Sequence, residues 1–376
     1  MAGGIAGAAY RRIYSGVNYR MRSFAGGALA GRCRPVAIML LLTERCNARC
    51  VHCDIWKNKG KEDSPDTSEW KHLLDDLRKW LGPVDIVFTG GEALLKQNTT
   101  ELARHAVSLG FALEVLTHGY WEDQSKIEKL AAAKPHRITI SLDGIGETHS
   151  KVRGRDDFFE KTQRTIETLV RMREHDSLGY QIRLKTVIME HNLGDLANVA
   201  RFATRPGMEV FYQPIEQNYN TPEDPEWFRS SPNWPRDPSQ AVRAVRELQQ
   251  LHRDGLHIAN SQQQLEVMVR YFEDPEGLRL TTQAHQAHER QHFCSSLGTL
   301  QIQSDGGVGF CARMPVVGNF RAMPIRQIWE TRPRWWESGC CMSQPRQGVP
   351  EPLHQIATDG ASHDSPGGNG CHAPVE

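Results

Sequence analysis

Three cysteines fall within eight positions in "TERCNARCVHC", at Cys46, Cys50 and Cys53. Thiolates bind iron and zinc, but a structural zinc site takes four good ligands and a disulfide uses cysteines in pairs. An iron–sulfur cube also normally takes four cysteines. A cube held by three keeps one iron open, and an open position is what makes a metal site catalytic as well as structural. On these residues alone a zinc knuckle is the alternative.

The elements that position the cysteines are readable from periodicity. Short β-like runs occur at 36–42, 84–89, 111–117, 136–142, 180–188 and 209–215. Amphipathic helical stretches alternate with them, such as "SEWKHLLDDLRKWL" at 68–81 and "FFEKTQRTIETLVRMREH" at 158–175, with apolar residues recurring every three or four positions. Asp66, Thr67 and Ser68 are the capping candidates for the first of these helices. Repeated strand–helix units predict a parallel sheet covered on both faces, open or curled as a partial (β/α)6 barrel. In such folds chemistry gathers at the carboxyl ends of the strands. The cysteines follow the first strand, where a site is expected.

The other strand ends carry suitable residues. The second ends in "FTGGE", placing Gly90, Gly91 and Glu92 at the same rim. Two glycines permit close backbone approach to a ligand, and the carboxylate suits an ammonium group. The third ends in "LTHGY" at 116–120. The fourth ends in "SLDG", with Ser141 and Asp143, followed by "THSKVRG" with Arg153. Hydroxyl and carboxylate groups hydrogen-bond polar ligands, and guanidinium binds a carboxylate bidentately. Tyr212, Gln213 and Glu216 at the sixth strand end are expected to face the same rim and meet the substrate.

In order and spacing, Cys-x3-Cys-x2-Cys, Gly-Gly-Glu, the "THG" stretch and "SLDG" resemble the core of the radical S-adenosylmethionine (radical SAM) superfamily over roughly residues 38 to 216. The resemblance implies a [4Fe–4S] cluster on Cys46, Cys50 and Cys53, with SAM at the open iron. It implies reductive cleavage of SAM to methionine and a 5′-deoxyadenosyl radical. It places Gly90, Gly91 and Glu92 near the methionine amino group, Ser141 and Asp143 near the ribose, and Arg153 at the methionine carboxylate. His52, just before the third cysteine, stands where relatives carry an aromatic ring near adenine. An electron donor such as a flavodoxin or ferredoxin is also implied.

A second cysteine region spans Cys294 and Cys311, then "GN", "IW" and the adjacent pair Cys340 and Cys341. It resembles the SPASM extension or its shorter form, Twitch, which hold auxiliary iron–sulfur clusters and are frequent in peptide-modifying enzymes. The full pattern has further Cys-x2-Cys groups, absent here. The resemblance implies a single auxiliary cluster on Cys294, Cys311 and one or both of the pair. The domain expectation is therefore a basic segment at 1–34, a radical SAM core at 35–216 and a connector with helices at 217–290. The extension follows at 291–342, with a disordered tail at 343–376.

Composition narrows the partners. Lys plus Arg and Asp plus Glu are equal at 45, so no basic excess points to nucleic acid. Before Glu44 no acidic residue occurs, while Arg11, Arg12, Arg20, Arg22, Arg32 and Arg34 all do. This leader suits a helical lead-in packed under the domain, a peripheral contact with an anionic membrane, or a transit peptide. Nine irregularly spaced cysteines point to metal binding in a reducing cytoplasm, at most peripheral to the inner face of a membrane. Cys33, outside every motif, reads as a packing residue. The leading expectation is radical chemistry on a peptide or protein. The alternatives are a cofactor precursor, lipid or other small metabolite as substrate, and a non-catalytic iron–sulfur or zinc scaffold.

Overall fold

The computed structural model describes residues 5–23, 32–58, 64–175, 178–218, 221, 224, 226–275, 298–310 and 316–332. Cys294, Cys311, Cys340 and Cys341 lie outside these residues, as does the segment 343–376.

Six parallel strands follow the chain in order: β1 (Ala37–Thr43), β2 (Asp85–Gly90), β3 (Ala112–Thr117), β4 (Arg137–Ser141), β5 (Gln181–Ile188) and β6 (Glu209–Pro214). The intervening helices are α2 (Thr67–Leu81), α3 (Thr99–Ser108), α4 (Ser125–Ala132), α5 (Glu147–Arg153), α6 (Phe158–His175) and α7 (Leu196–Thr204). A helix α1 (Ile5–Ser23) precedes them, and α8 (Trp227–Ser230), α9 (Pro238–Arg253) and α10 (Gln262–Glu273) follow. The expected partial barrel is therefore present, and its sheet stays unclosed.

The sheet is also wider than six strands. β7 (Thr299–Ile302) pairs parallel with β1, so Ala37 faces Thr299 and Leu40 faces Ile302. β8 (Gly307–Gly309) and β9 (Gly318–Asn319) continue it antiparallel, giving the order β6-β5-β4-β3-β2-β1-β7-β8-β9. β1 is thus an interior strand with neighbours on both sides, which explains its unbroken apolar run "AIMLLL". The described part of 291–342 extends the core sheet. A final helix α11 (Ile325–Glu330) buries Trp329, whose indole N–H donates to the Cys33 carbonyl at 2.8 Å. Cys33 is itself buried, as its isolation from the motifs suggested.

Local rules account for the helices. The N-cap of α2 is Asp66, whose carboxylate accepts from Glu69 N at 2.8 Å while Glu69 Oε2 accepts from Asp66 N at 2.8 Å. Its apolar stripe of Trp70, Leu73, Leu74, Leu77 and Leu81 is buried on the sheet. Helix α1 packs beneath the sheet: Tyr14 donates to the Pro35 carbonyl at 2.7 Å, and Tyr10 to Leu81 at 2.6 Å. The lead-in expectation thus describes how α1 sits on the domain. Among the described residues no helix is long and apolar enough to cross a membrane.

β6 is a sheet edge, and such edges leave backbone groups unpaired. Here a side chain completes the ladder. Tyr212 N donates to Asn260 Oδ1 at 2.7 Å, and Asn260 Nδ2 donates back to the Tyr212 carbonyl at 3.0 Å. Asn260 is only 1% exposed, so water cannot replace it. Asn260→Leu is expected to destabilise the protein by about 3 kcal/mol, because two buried backbone groups lose their partner. Urea unfolding measures this, and an unchanged midpoint would show that the edge does not need the amide.

Candidate functional site

The loop from Glu44 to Cys53 leaves the carboxyl end of β1 and has little structure of its own. It is held by neighbouring strand ends. Gly91 N donates to the Thr43 carbonyl at 2.8 Å and Glu92 N to the Arg45 carbonyl at 2.9 Å. A Cβ on Gly90, at φ +137°, would lie 2.2 Å from the Thr43 oxygen. One on Gly91 would lie 2.5 Å from the Arg45 oxygen. These glycines are required by chain–chain contact within the protein, whatever ligand they also meet. On the other side Arg49 N donates to the Arg153 carbonyl at 3.1 Å and Val51 N to Val152 at 3.0 Å.

The result is a cavity of about 390 Å³ at the carboxyl ends of the strands. Cys46, Cys50 and Cys53 all line it, with His52 between them. Gly90, Gly91, Ser141 and Arg153 also line it, as do Gln213 and Glu216 beyond them. The expected motifs therefore converge on one space.

Three expected site residues do not reach it. Tyr212 is fully buried and its hydroxyl donates to the Leu196 carbonyl at 2.7 Å. Strand alternation turns Tyr212 to the helix layer while Gln213 faces the cavity. Glu92 is 1% exposed and turned inward. Its Oε2 accepts from His118 N at 2.8 Å and from the Thr117 hydroxyl at 3.1 Å, and its Oε1 accepts from Leu94 N at 3.1 Å. Asp143 is fully buried, with Oδ1 accepting from Val187 N at 2.9 Å and Oδ2 lying 2.5 Å from Arg153 Nη2. Glu92 and Asp143 build the rim.

Arg153 is the link between rim and cysteines. Besides Asp143, its Nη1 lies 3.5 Å from the Cys50 sulfur. Burial opposes the charge on both partners, but attraction between them prevails. The guanidinium holds the Asp143 carboxyl below its usual range, and Arg153 stays protonated.

Of the cavity residues that carried no expectation, two are ionisable. His118, from the "THG" stretch, accepts from Tyr120 N at Nδ1 (2.9 Å), so its proton sits on Nε2. Nε2 then donates to Asn47 Oδ1 at 2.7 Å and lies 3.3 Å from Glu92 Oε2. Lys185 lines the cavity from β5, in register with Ser141. Among the described residues its side chain makes no hydrogen bond or ion pair, and burial pushes its pKa down although Glu216 attracts the charge. Inward position on β5 was the available signal for Lys185, and the strand's alternation of Arg183, Lys185 and Val187 carries it.

The donor set fits an iron–sulfur cluster with a ligand on its open iron. Among the described residues no three His, Cys, Asp or Glu converge as ligands of a single ion would, whereas three thiols share one cavity. Two buried nitrogens beside the cysteines, His52 Nδ1 and Trp56 Nε1, have no hydrogen-bond partner. Burial pushes the Cys46 thiol up to about 12 and raises Cys50 and Cys53 as well. Thiols are neutral under ordinary conditions and must lose protons to bind metal, so metal uptake favours higher pH.

The chain contains a radical SAM domain. Residues 40–202 match the family model described as the Radical SAM superfamily, and they form the radical SAM domain of this chain. Among curated relatives, an AdoMet-dependent heme synthase of Methanosarcina barkeri is 27% identical over 303 residues, covering 79% of this chain and 82% of the relative. The sporulation killing factor maturation protein SkfB of Bacillus subtilis is 28% identical over 178 residues, 47% of this chain and 42% of its own. The chain thus spans most of the first relative and about two-fifths of the second. In fold it resembles Streptococcus suis SuiB bound to S-adenosylmethionine, at TM-score 0.60 and 12% identity over 80% of this chain and 66% of that one.

Buried groups give the protein a definite pH response. Burial pushes His118 and His149 down to about 3 and Glu92 up to about 7. Unfolding lets both histidines take protons below about pH 6.5, so their contribution is lost on acidification. Glu92 acts oppositely: its contribution is present below 4.5 and is lost as pH rises to about 7. His52, lowered to about 4 by burial, acts in the same direction, so three histidines outweigh one carboxyl. The urea midpoint of the metal-free protein should fall below pH 6.5, and more steeply below 4.5. Glu92→Gln should steepen the upper part, and a midpoint that climbs on acidification would contradict these assignments.

Proposed function

We propose that this chain binds a [4Fe–4S] cluster through Cys46, Cys50 and Cys53 and S-adenosylmethionine at the iron they leave open. The observation that carries the reading is the convergence of all three thiols with Gly90, Gly91, Ser141 and Arg153 on one cavity. When bound, the cluster supplies one electron that cleaves SAM to methionine and a 5′-deoxyadenosyl radical, which removes a hydrogen atom from the substrate.

The chain's own residues orient and enclose. The Gly90–Gly91 backbone offers close approach to the methionine amino group, and the Ser141 hydroxyl suits the ribose. Arg153 faces the cavity and suits the methionine carboxylate while holding Cys50. Glu92 and Asp143 act through His118, Thr117 and Arg153, as positioning residues. His52, with an unpaired ring nitrogen, suits adenine. The side chains of Lys185, Gln213 and Glu216 make no hydrogen bond or ion pair among the described residues, which leaves them available to the substrate.

For the substrate we favour a peptide or protein. Relatives with that work in their names support it, SkfB as a maturation protein and PqqA peptide cyclase among them. A cofactor precursor is the second reading, favoured by the heme synthase match across 82% of that relative. The electron donor is proposed to be a flavodoxin or ferredoxin in the cytoplasm. An auxiliary cluster on Cys294, Cys311 and the Cys340–Cys341 pair belongs to the same proposal.

Anaerobic reconstitution followed by dithionite and SAM tests this reading. The wild type should release 5′-deoxyadenosine, and Cys46→Ala should not. Arg153→Met should lower cluster retention or turnover roughly 10- to 100-fold, as loss of a partner behind a metal ligand does. Lys185→Met should still cleave SAM without substrate. Iron content separates about four irons for the core cluster alone from about eight with an auxiliary cube. Metal binding with no 5′-deoxyadenosine from the wild type would leave the scaffold reading standing.

A further inference from the structure

Helix α1 presents the wrong face to water. Residues three and four apart share a helix face, and one such face looks into the domain. There Arg11 lies 3.5 Å from Asp85, Tyr14 bonds the Pro35 carbonyl, and Asn18 Oδ1 accepts from Arg34 N at 2.7 Å. The opposite face carries Ala6, Ala9, Ile13, Gly16, Val17 and Arg20, with no acidic residue. Ile13 is 66% exposed and Val17 50%, while Tyr10 at the border is 37% exposed. Of seven large hydrophobic residues this exposed among the described residues, three are on this helix.

The charges around that face have one sign. Arg12 and Arg20 are exposed on this helix, and the first carboxylate in the sequence is Glu44. Two carboxylates on neighbouring elements are already engaged, Asp85 with Arg11 and Asp76 with Lys79 at 3.4 Å. No carboxylate among the described residues lies within ion-pair distance of Arg12 or Arg20. An exposed apolar stripe bordered by arginines suits the boundary between acyl chains and anionic headgroups.

We propose that α1 docks the protein on an anionic lipid surface. Its contacts with Pro35, Leu81 and Asp85 put the helix at the amino-terminal ends of β1 and β2. The cavity opens at their carboxyl ends. Docking through α1 therefore anchors the protein with its site turned away from the bilayer. The substrate then reaches the cavity from the aqueous side.

Flotation of the full chain with vesicles tests this directly. It should float with phosphatidylcholine–phosphatidylglycerol vesicles, remain soluble with phosphatidylcholine alone, and be released by added salt. The exposed-face variant Ile13→Asp/Val17→Asp should lose flotation while keeping its urea midpoint. Each arginine removed in Arg12→Gln/Arg20→Gln should weaken partitioning roughly fivefold. The proposal is overturned if the wild type stays soluble with the anionic vesicles, or if the aspartate variant floats as the wild type does. It is equally overturned if gel filtration shows a dimer that the aspartate variant disperses, since the face then meets a second copy. Dithionite-driven SAM cleavage without vesicles is independent of each result.

Discussion

The buried guanidinium of Arg153 is the contact on which the site depends. It joins Asp143, at the end of β4, to Cys50, in the loop after β1, while Asp143 accepts from β5 through Val187 N. A buried ion pair is poor evidence of stability, because desolvation offsets much of its attraction. Its effect here is on specificity of arrangement. With the Asp143 carboxylate held by the Val187 N–H, the guanidinium is fixed in turn, and it lies against Cys50. The carbonyl of Arg153 adds a second hold by accepting from Arg49 N.

A second chain of contacts holds the loop from the opposite side. Glu92 binds the end of β3 through His118 N and Thr117, and His118 passes the connection to Asn47 between the first two cysteines. The cysteine loop is thus clamped between β2–β3 and β4–β5 by two buried carboxylates, each acting through a base or a cation. Thiols that burial keeps neutral repel one another little before metal arrives. The loop can be folded and waiting, because its shape is supplied by neighbours and not by the cluster.

The order of strands and helices was legible because each is long and periodic. The runs at 111–117 and 180–188 begin within a residue of β3 and β5, and 158–175 coincides with α6. Placement of the cysteines at a strand end followed from that order. Direction of side chains was not legible. β6 reads "EVFYQP" with bulky residues on both faces, so its alternation cannot be phased without the register that puts Gln213 opposite Val187. For Glu92 and Asp143, a carboxylate beside a glycine suits a ligand and a buried backbone donor equally. The choice is made by Leu94, His118 and Val187, whose N–H groups would otherwise lack partners. Nor did four-residue β7 announce that it would lie beside β1, since its partner is more than 250 residues earlier and no local pattern encodes that pairing.

That long-range pairing bears on how the site is finished. With β7 beside β1, the cysteine-bearing strand is interior, and Gln301 reaches the cavity from the side opposite Gln213. The polar lining then divides by strand. Cysteines, glycines, Ser141 and Arg153 come from β1, β2 and the ends around β4, and most are tied to one another. The side chains of Lys185, on β5, and of Gln213 and Glu216, in and just after β6, make no hydrogen bond or ion pair among the described residues, although Lys185 and Glu216 attract one another. Groups already bonded in the free protein bind by preorganisation, at little reorganisation cost. Unbonded groups adapt, so discrimination among related chemistries rests on them. On the less tied side of the cavity Lys185 and Glu216 put opposite charges within reach of one another.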